Sequence, residues 1–438
     1  MSAHRLKNRL GIVFIFLIAI IPLILWIIMK PLDSRFVDFF SIFTSFGQIT
    51  GLLGIILFAI TLILSARLHF LENYFGGLDK VYNIHHKLGV ISFVFLAIHP
   101  LLLAIKLIPI SVITSAKFLI PSSNWTINFG IFSLLLMITI LIVTFFAKWK
   151  YPNLKFAHKF LGTAFFLGAL HTFLTPSDVS QDIFLRVYIL GFSAIAILVY
   201  LQRSILGNFM TKKITYIVES LNIFGKDVVE IIMNPRDKKI QFTAGQFIFI
   251  KFEGANVSNE YHPFTISSAP HDDKLRLTIK ALGDWTSELK NLKTGIIAKI
   301  EGPFGEFSYL KSKYKKQIWI AGGIGVTPFL SMLRDLKVNK HDGLKIDFYY
   351  TTKSADEKVF VDEILAIEKE LKNIKINLYT SDERGHLNAG VINSAVGNLE
   401  ETDIFMCGPF NMMNNLKKQF VLLGVKKNSI HTEEFKLL

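Results

Sequence analysis

Four histidines stand inside apolar runs at closely matched intervals. His85 and His99 bracket "HHKLGVISFVFLAIH", and His158 and His171 bracket "HKFLGTAFFLGALH". Imidazole is the natural axial ligand of haem iron. Polar side chains at membrane depth are costly, so two matched pairs call for a use. On helices rising ~1.5 Å per residue, the separations of 14 and 13 residues each correspond to roughly 20 Å. Two neighbouring helices of this kind present histidines at two common depths. The pattern predicts two stacked bis-histidine sites, His85 with His158 and His99 with His171.

Helical phase selects between His85 and its neighbour His86. At ~100° per residue, His85 and His99 fall about 40° apart around the helix, whereas His86 and His99 fall about 140° apart. His85 is therefore the expected ligand. The same arithmetic places His158 and His171 on different faces of an ideal helix. A local irregularity near Gly162 or Gly168 is required to bring them to one side.

A second set of motifs lies in the other half of the chain. "YHPFTISSAP" (261–270), "ALGDWTSEL" (281–289) and "EGPFGEFS" (301–308) punctuate short alternating runs that read as antiparallel strands of a small barrel. The Gly-containing turn before the helix start in "ALGDWTSEL" offers backbone N–H groups suited to a phosphate. "QIWIAGGIGVTPFLSML" (317–333) follows: a buried strand, a glycine turn, then an apolar helix, the arrangement that receives a pyrophosphate. Strands "KIDFYYTT", "KINLYTS" and "DIFMCGPF" then alternate with helices, giving an open α/β sheet. Lys353, just past the first of these strands, suits a ribose 2′-phosphate or plain solvent, and the sequence leaves both open.

These motifs need two kinds of framework. The 438 residues are 51% hydrophobic with 40 Phe, but the apolar runs concentrate before residue 206. Six stretches are long enough to span a bilayer: 11–29, 42–66, 86–108, 127–147, 156–175 and 183–202. The first has a basic flank but no small-residue cleavage site, so a retained helix is expected. Basic residues at the N-terminus, in 67–84, in 148–155 and after the sixth stretch place those segments, and both termini, in the cytoplasm. The lone cysteine, Cys407, excludes an internal disulfide. The net charge of +14 comes with no basic stripe or nucleic-acid motif, so no nucleic-acid partner is expected.

The whole arrangement resembles the NADPH oxidase and ferric reductase family, through the four histidines, "HPFTISS", "LGDWTSEL", "GPFGEFS", "GGIGVTP", "CGP" and the terminal "EEF". That resemblance implies a multi-domain membrane protein. Its parts would be a six-helix transmembrane haem bundle (1–210), an antiparallel β-barrel FAD domain (211–312) and an α/β NAD(P)-binding domain (313–438). It implies FAD contacts at His262, Pro263, Phe264 and Thr265, and pyrophosphate contacts at Gly283, Trp285 and Thr286. The nicotinamide nucleotide would meet Gly322, Gly323, Gly325, Thr327 and Pro328, together with Cys407, Gly408 and Pro409. Phe435 would stack near the flavin, and Cys407 and Phe435 would be the catalytic pair. The family's histidine spacing also favours His85.

The function so implied is electron transfer from cytosolic NADPH or NADH through FAD and two haems b to an acceptor outside the plasma membrane. Dioxygen, giving superoxide, and a ferric chelate are the two acceptors. Superoxide-forming members place basic residues beside the outer haem, whereas here Pro100 follows His99 and Leu103 stands one turn beyond. A non-enzymatic haem or metal transporter with a nucleotide-binding tail is the alternative from another class. The compact form, without a calcium-binding segment, suggests a bacterial member. The bilayer is the one macromolecular partner the sequence names.

Overall fold

The computed structural model describes residues 3–147, 149, 151–206, 213–254, 257–341 and 343–433. Phe435, Lys148, Lys150 and Lys212 lie outside the described residues. The chain divides into two units, residues 3–211 and 212–438.

The first unit is helical. Its elements are α1 (Ala3–Met29), α2 (Leu32–Arg35), α3 (Phe39–Leu64), α4 (His69–Phe75), α5 (Leu78–Ile105), α6 (Val112–Phe118), α7 (Trp125–Phe146), α8 (Tyr151–Lys159), α9 (Leu161–Leu174), α10 (Asp178–Gln181) and α11 (Ile183–Tyr200). Among the described residues, five helices are long and apolar enough to cross a membrane. The fifth stretch expected from the sequence is instead divided, because the chain turns at Phe160 between α8 and α9. The expected 86–108 stretch is extended backwards, since α5 begins at Leu78 and carries His85 two turns inside it.

Capping sets the frame. The Asp38 carboxylate accepts from the Ser41 amide at the start of α3, and Asp182 does the same for Leu185 at the start of α11. The central helix is α3, whose Leu52, Ile55, Phe58, Ala59 and Leu62 pack with Phe165 of α9 and Ile189 of α11 in one core. The outside of the unit is apolar as well: Ile28 is 75% and Phe146 80% exposed. Such an exterior suits lipid, not water. This half is a multi-pass membrane domain.

The second unit holds two sheets. The first is antiparallel, with β1 (Ile214–Phe224), β2 (Val228–Pro235), β3 (Phe247–Glu253), β4 (His262–Thr265), β5 (Leu275–Lys280) and β6 (Ile297–Phe304) in the order β4-β3-β6-β1-β2-β5. Its two outermost strands approach where Ile266, just past β4, bridges Leu277 of β5. The second sheet is parallel, with β7 (Lys316–Gly322), β8 (Lys345–Thr352), β9 (Ile374–Thr380), β10 (Thr402–Cys407) and β11 (Ile430–Glu433) in the order β11-β10-β7-β8-β9. Both faces are covered, so β7 and β10 are buried almost without interruption and show no alternation.

One carboxylate anchors the start of β10. Asp403 is fully buried and accepts from Ser312 Oγ and the Lys313 amide, each at 2.7 Å, with His431 at 3.5 Å. Burial opposes its charge, but the adjacent His431 and the hydrogen bond from Ser312 outweigh it and hold the carboxyl down at about 2. A depressed carboxylate stabilises the fold above its unfolded value of about 3.9, and the contribution is lost as pH falls through the folded one. Asp403→Asn is expected to lower Tm at pH 7 by about 5 °C. The gap from the unaltered chain should narrow between about pH 4 and pH 2; a pH-independent gap in calorimetry would contradict this account.

Candidate functional site

In the helical unit, neighbouring helices supply backbone acceptors for the histidines. His85 Nδ1 lies 2.8 Å from the Thr61 carbonyl and His99 Nδ1 2.6 Å from the Gly47 carbonyl, both on α3. His171 Nδ1 lies 2.7 Å from the Thr126 carbonyl of α7. A carbonyl can only accept, so each Nδ1 carries the proton and each Nε2 keeps its lone pair for a metal. His158 Nδ1 is buried and has no partner among the described residues.

The His85 and His158 ring centres are 6.5 Å apart. Two metal–nitrogen bonds of about 2 Å, each extended by the ~1.1 Å from nitrogen to ring centre, span about 6 Å. One iron between the two rings fits that separation. Among the described residues no group of three or more His, Cys, Asp or Glu side chains gathers to hold a metal. A two-ligand site suits a metal that arrives with equatorial ligands of its own, as haem iron does. His85 turns inward while His86 is exposed, in agreement with the phase argument. The turn at Phe160 supplies the irregularity demanded by the 13-residue interval, just before Gly162 and not at it.

Close packing seats the rings, and glycine permits it. A Cβ at Gly51 would lie 2.8 Å from His99 Nδ1, and one at Gly130 would lie 3.0 Å from His171 Nδ1. Gly47 and Gly54 likewise admit Leu103 and Leu96 of α5. Sequence reasoning missed these seats; the only signal for Gly47, Gly51 and Gly54 is small residues three and four apart on α3, and Gly130 on α7 has none. It also missed Arg35, which is buried. Arg35 pairs with Asp178 at 2.7 Å, bonds Gln48 at 3.5 Å and lies over the Trp26 ring. Lys106 rests over the Phe40 ring at 4.7 Å.

In the antiparallel sheet, His262, Pro263, Phe264 and Thr265 are β4 itself. Trp285 stacks on Phe264 with ring centres at 5.6 Å and lies 4.2 Å from the His262 ring, while its Nε1 donates to the Ser258 carbonyl. The Thr286 hydroxyl accepts from the amides of Leu282 and Gly283, closing the turn. Gly283 is open: a Cβ there would meet nothing within 4 Å.

The parallel sheet divides its glycines between two tasks. A Cβ at Gly325 would lie 2.3 Å from the Cys407 carbonyl oxygen, and one at Gly408 would lie 2.9 Å from Gly322 Cα. Gly322 is similarly closed by Pro409 and Met412. These three let the backbone at the carboxyl ends of the parallel neighbours β7 and β10 approach closely. Gly323, at φ +55 with nothing within 4 Å, leaves its backbone open to a phosphate. Thr327 and Pro328 open the Thr327–Val338 helix, with the Thr327 hydroxyl donating to the Ile324 carbonyl. Lys353 is exposed past the end of β8, on the same carboxyl edge of the sheet. Cys407 is 3% exposed, and burial, then Glu433, pushes its thiol well up.

Three family models match in chain order. They are a ferric reductase like transmembrane component over residues 50–169, an FAD-binding domain over 214–317 and an oxidoreductase NAD-binding domain over 319–418. Flavohemoprotein B of Dictyostelium discoideum is 29% identical over 220 residues, 44% of this chain and 52% of that protein. Dual oxidase 2 of Rattus norvegicus is 35% identical over 144 residues, 30% of this chain and 9% of that protein. A superoxide-generating NADPH oxidase heavy chain of D. discoideum is 31% identical over 186 residues, 38% of this chain and 33% of that protein. The chain spans about half the length of the first relative and a third or less of the other two.

Proposed function

We propose that this chain, an oxidoreductase joining a ferric-reductase-like transmembrane domain to FAD-binding and NAD-binding domains, carries electrons across a membrane. NADPH or NADH is the donor, and dioxygen, yielding superoxide, is the acceptor. The observation that carries the proposal is the histidine geometry: two pairs on α5 and on α8–α9, three of the four rings oriented by backbone carbonyls with Nε2 left for iron.

Bound FAD would take two electrons from the nucleotide and release them singly, and haem iron would pass them one at a time. The chain's own part is to hold and insulate. His85 and His158 would hold one haem, and His99 and His171 the other. Thr61, Gly47 and Thr126 fix ring tautomers through their carbonyls. His262, Pro263, Phe264 and Thr265 would line the flavin, and Gly283, Trp285 and Thr286 its pyrophosphate, on a sheet closed into a barrel. Gly323 and the start of the Thr327–Val338 helix would receive the nucleotide phosphates, with Lys353 at the ribose and the terminal Phe435 beside the flavin. The α8–α9 segment counts as the sixth crossing, and both termini lie in the cytoplasm of a plasma-membrane protein.

A ferric chelate is the second acceptor, favoured by Leu103, which fills the turn beyond His99 and packs on Gly47. Purified protein mixed with NADPH under argon should show reduced bis-histidine haem bands, reoxidised on admitting air. Bands that form but fail to reduce would sink the proposal. Cytochrome c reduction abolished by superoxide dismutase identifies the oxidase, whereas activity that needs added ferric chelate identifies the reductase.

A further inference from the structure

The two nucleotide domains are joined by a buried polar clamp on a single helix. The Thr327–Val338 helix begins at the glycine turn, and one turn in it presents Ser331 and Arg334 to the other domain. Ser331 Oγ donates to the Ser268 carbonyl at 2.7 Å, and Arg334 donates to the Ser267 carbonyl at 2.7 Å. Ser267 and Ser268 are fully buried and follow the "HPFT" strand after one residue, Ile266. They are tied on their other side to β5, with Ser267 N donating to the Arg276 carbonyl and Arg276 N to Ser268 Oγ.

Arg334 itself is 8% exposed and takes carboxylates from both domains. It forks onto Glu363 at 2.6 and 2.8 Å, and Glu230 of β2 lies 3.6 Å away. Its guanidinium also lies 5.4 Å from the Phe360 ring. Phe360 is held at φ +60, a costly conformation for a non-glycine residue, with its ring 4.5 Å from Phe224 of β1. Glu363 alone would neutralise the arginine. A buried charge shared across two domains, beside a strained aromatic, spends stability on one relative position.

Resting on the FAD and NAD(P)H reading above, we propose that Arg334, assisted by Ser331, is a positioning residue for hydride transfer. It locks the helix that receives the nucleotide phosphates to the segment following the flavin-lining strand, and so sets the approach of nicotinamide to flavin. Reacting atoms must meet within about 3.5 Å, and a displacement of 1 Å costs roughly 100-fold in rate.

The test is anaerobic stopped-flow bleaching of the flavin in the full chain at varied NADPH and NADH. Arg334→Met should keep its FAD and bind nucleotide with nearly unchanged Kd, while the saturating rate of bleaching falls by about tenfold or more. Arg334→Lys should recover part of that rate, and reduction of the flavin by dithionite should be the same in all variants. An unchanged saturating rate in Arg334→Met overturns the inference. Should that variant lose FAD, Ser331→Ala removes one hydrogen bond and spares the charges; a slower saturating rate supports the clamp and an equal one overturns it. If the unaltered chain binds FAD yet neither nucleotide bleaches it, the functional reading itself has failed.

Discussion

Replacing His99 by leucine is expected to leave the chain with one haem instead of two. Leucine fills much of the imidazole's volume and keeps the helix intact, but it offers iron no lone pair. The counterpart His171 stays bonded to the Thr126 carbonyl, so a single remaining ligand would have to hold the outer group. His85 and His158 are untouched, and the inner haem should stay, with its absorption bands and flavin reduction by NAD(P)H preserved. Delivery of electrons to an outside acceptor should be abolished. Haem stoichiometry measures the effect directly, and retention of both haems would refute the ligand assignment. His86→Leu is the matched control, because that ring is exposed and out of phase with His99.

Gly325→Ala is the second substitution with a large expected effect, and it acts in the other unit. The added Cβ would lie 2.3 Å from the Cys407 carbonyl oxygen and 2.8 Å from Gly408 Cα. Both obstacles are backbone at the end of a fully buried strand, so neither can swing away as a flexible side chain could. The glycine turn must shift relative to β10, and overpacking of this kind costs about 1–3 kcal/mol of stability. Displacing the phosphate-receiving backbone by about 1 Å should cut NAD(P)H-driven flavin reduction roughly 100-fold. FAD content should be retained, and dithionite should still reduce the flavin and both haems. Undiminished reduction by NAD(P)H would show that the close approach at Gly325 does not shape the nucleotide site.

Much of this was legible from local pattern. Hydropathy located the helical half, and phase separated His85, which faces α3, from the exposed His86, because both signals follow from the geometry of one helix. The 13-residue interval even announced a break, though not its place at Phe160. Relations between distant segments were not legible. The carbonyls of Thr61, Gly47 and Thr126 are backbone atoms, which no side-chain pattern marks, and the Arg35–Asp178 pair joins residues 143 apart. The glycines of "GGIGVTP" were read together as a phosphate cradle. Two of its three glycines, Gly322 and Gly325, together with Gly408, instead permit close approach of two strand ends that meet only in the folded sheet.

The turn at Phe160 has an evolutionary consequence. On α5 the two histidines share one uninterrupted helix, so a residue gained or lost between them would swing one ring by ~100° and shift it ~1.5 Å along the axis. No neighbouring segment can absorb that change, and the interval from His85 to His99 is locked. The histidines of α8 and α9 are carried by two separate rods with a joint between them. A change of length at that joint can be taken up before it reaches either ring. If the four histidines ligate as proposed, a length change in the first interval would cost a site, whereas one at the joint would have slack.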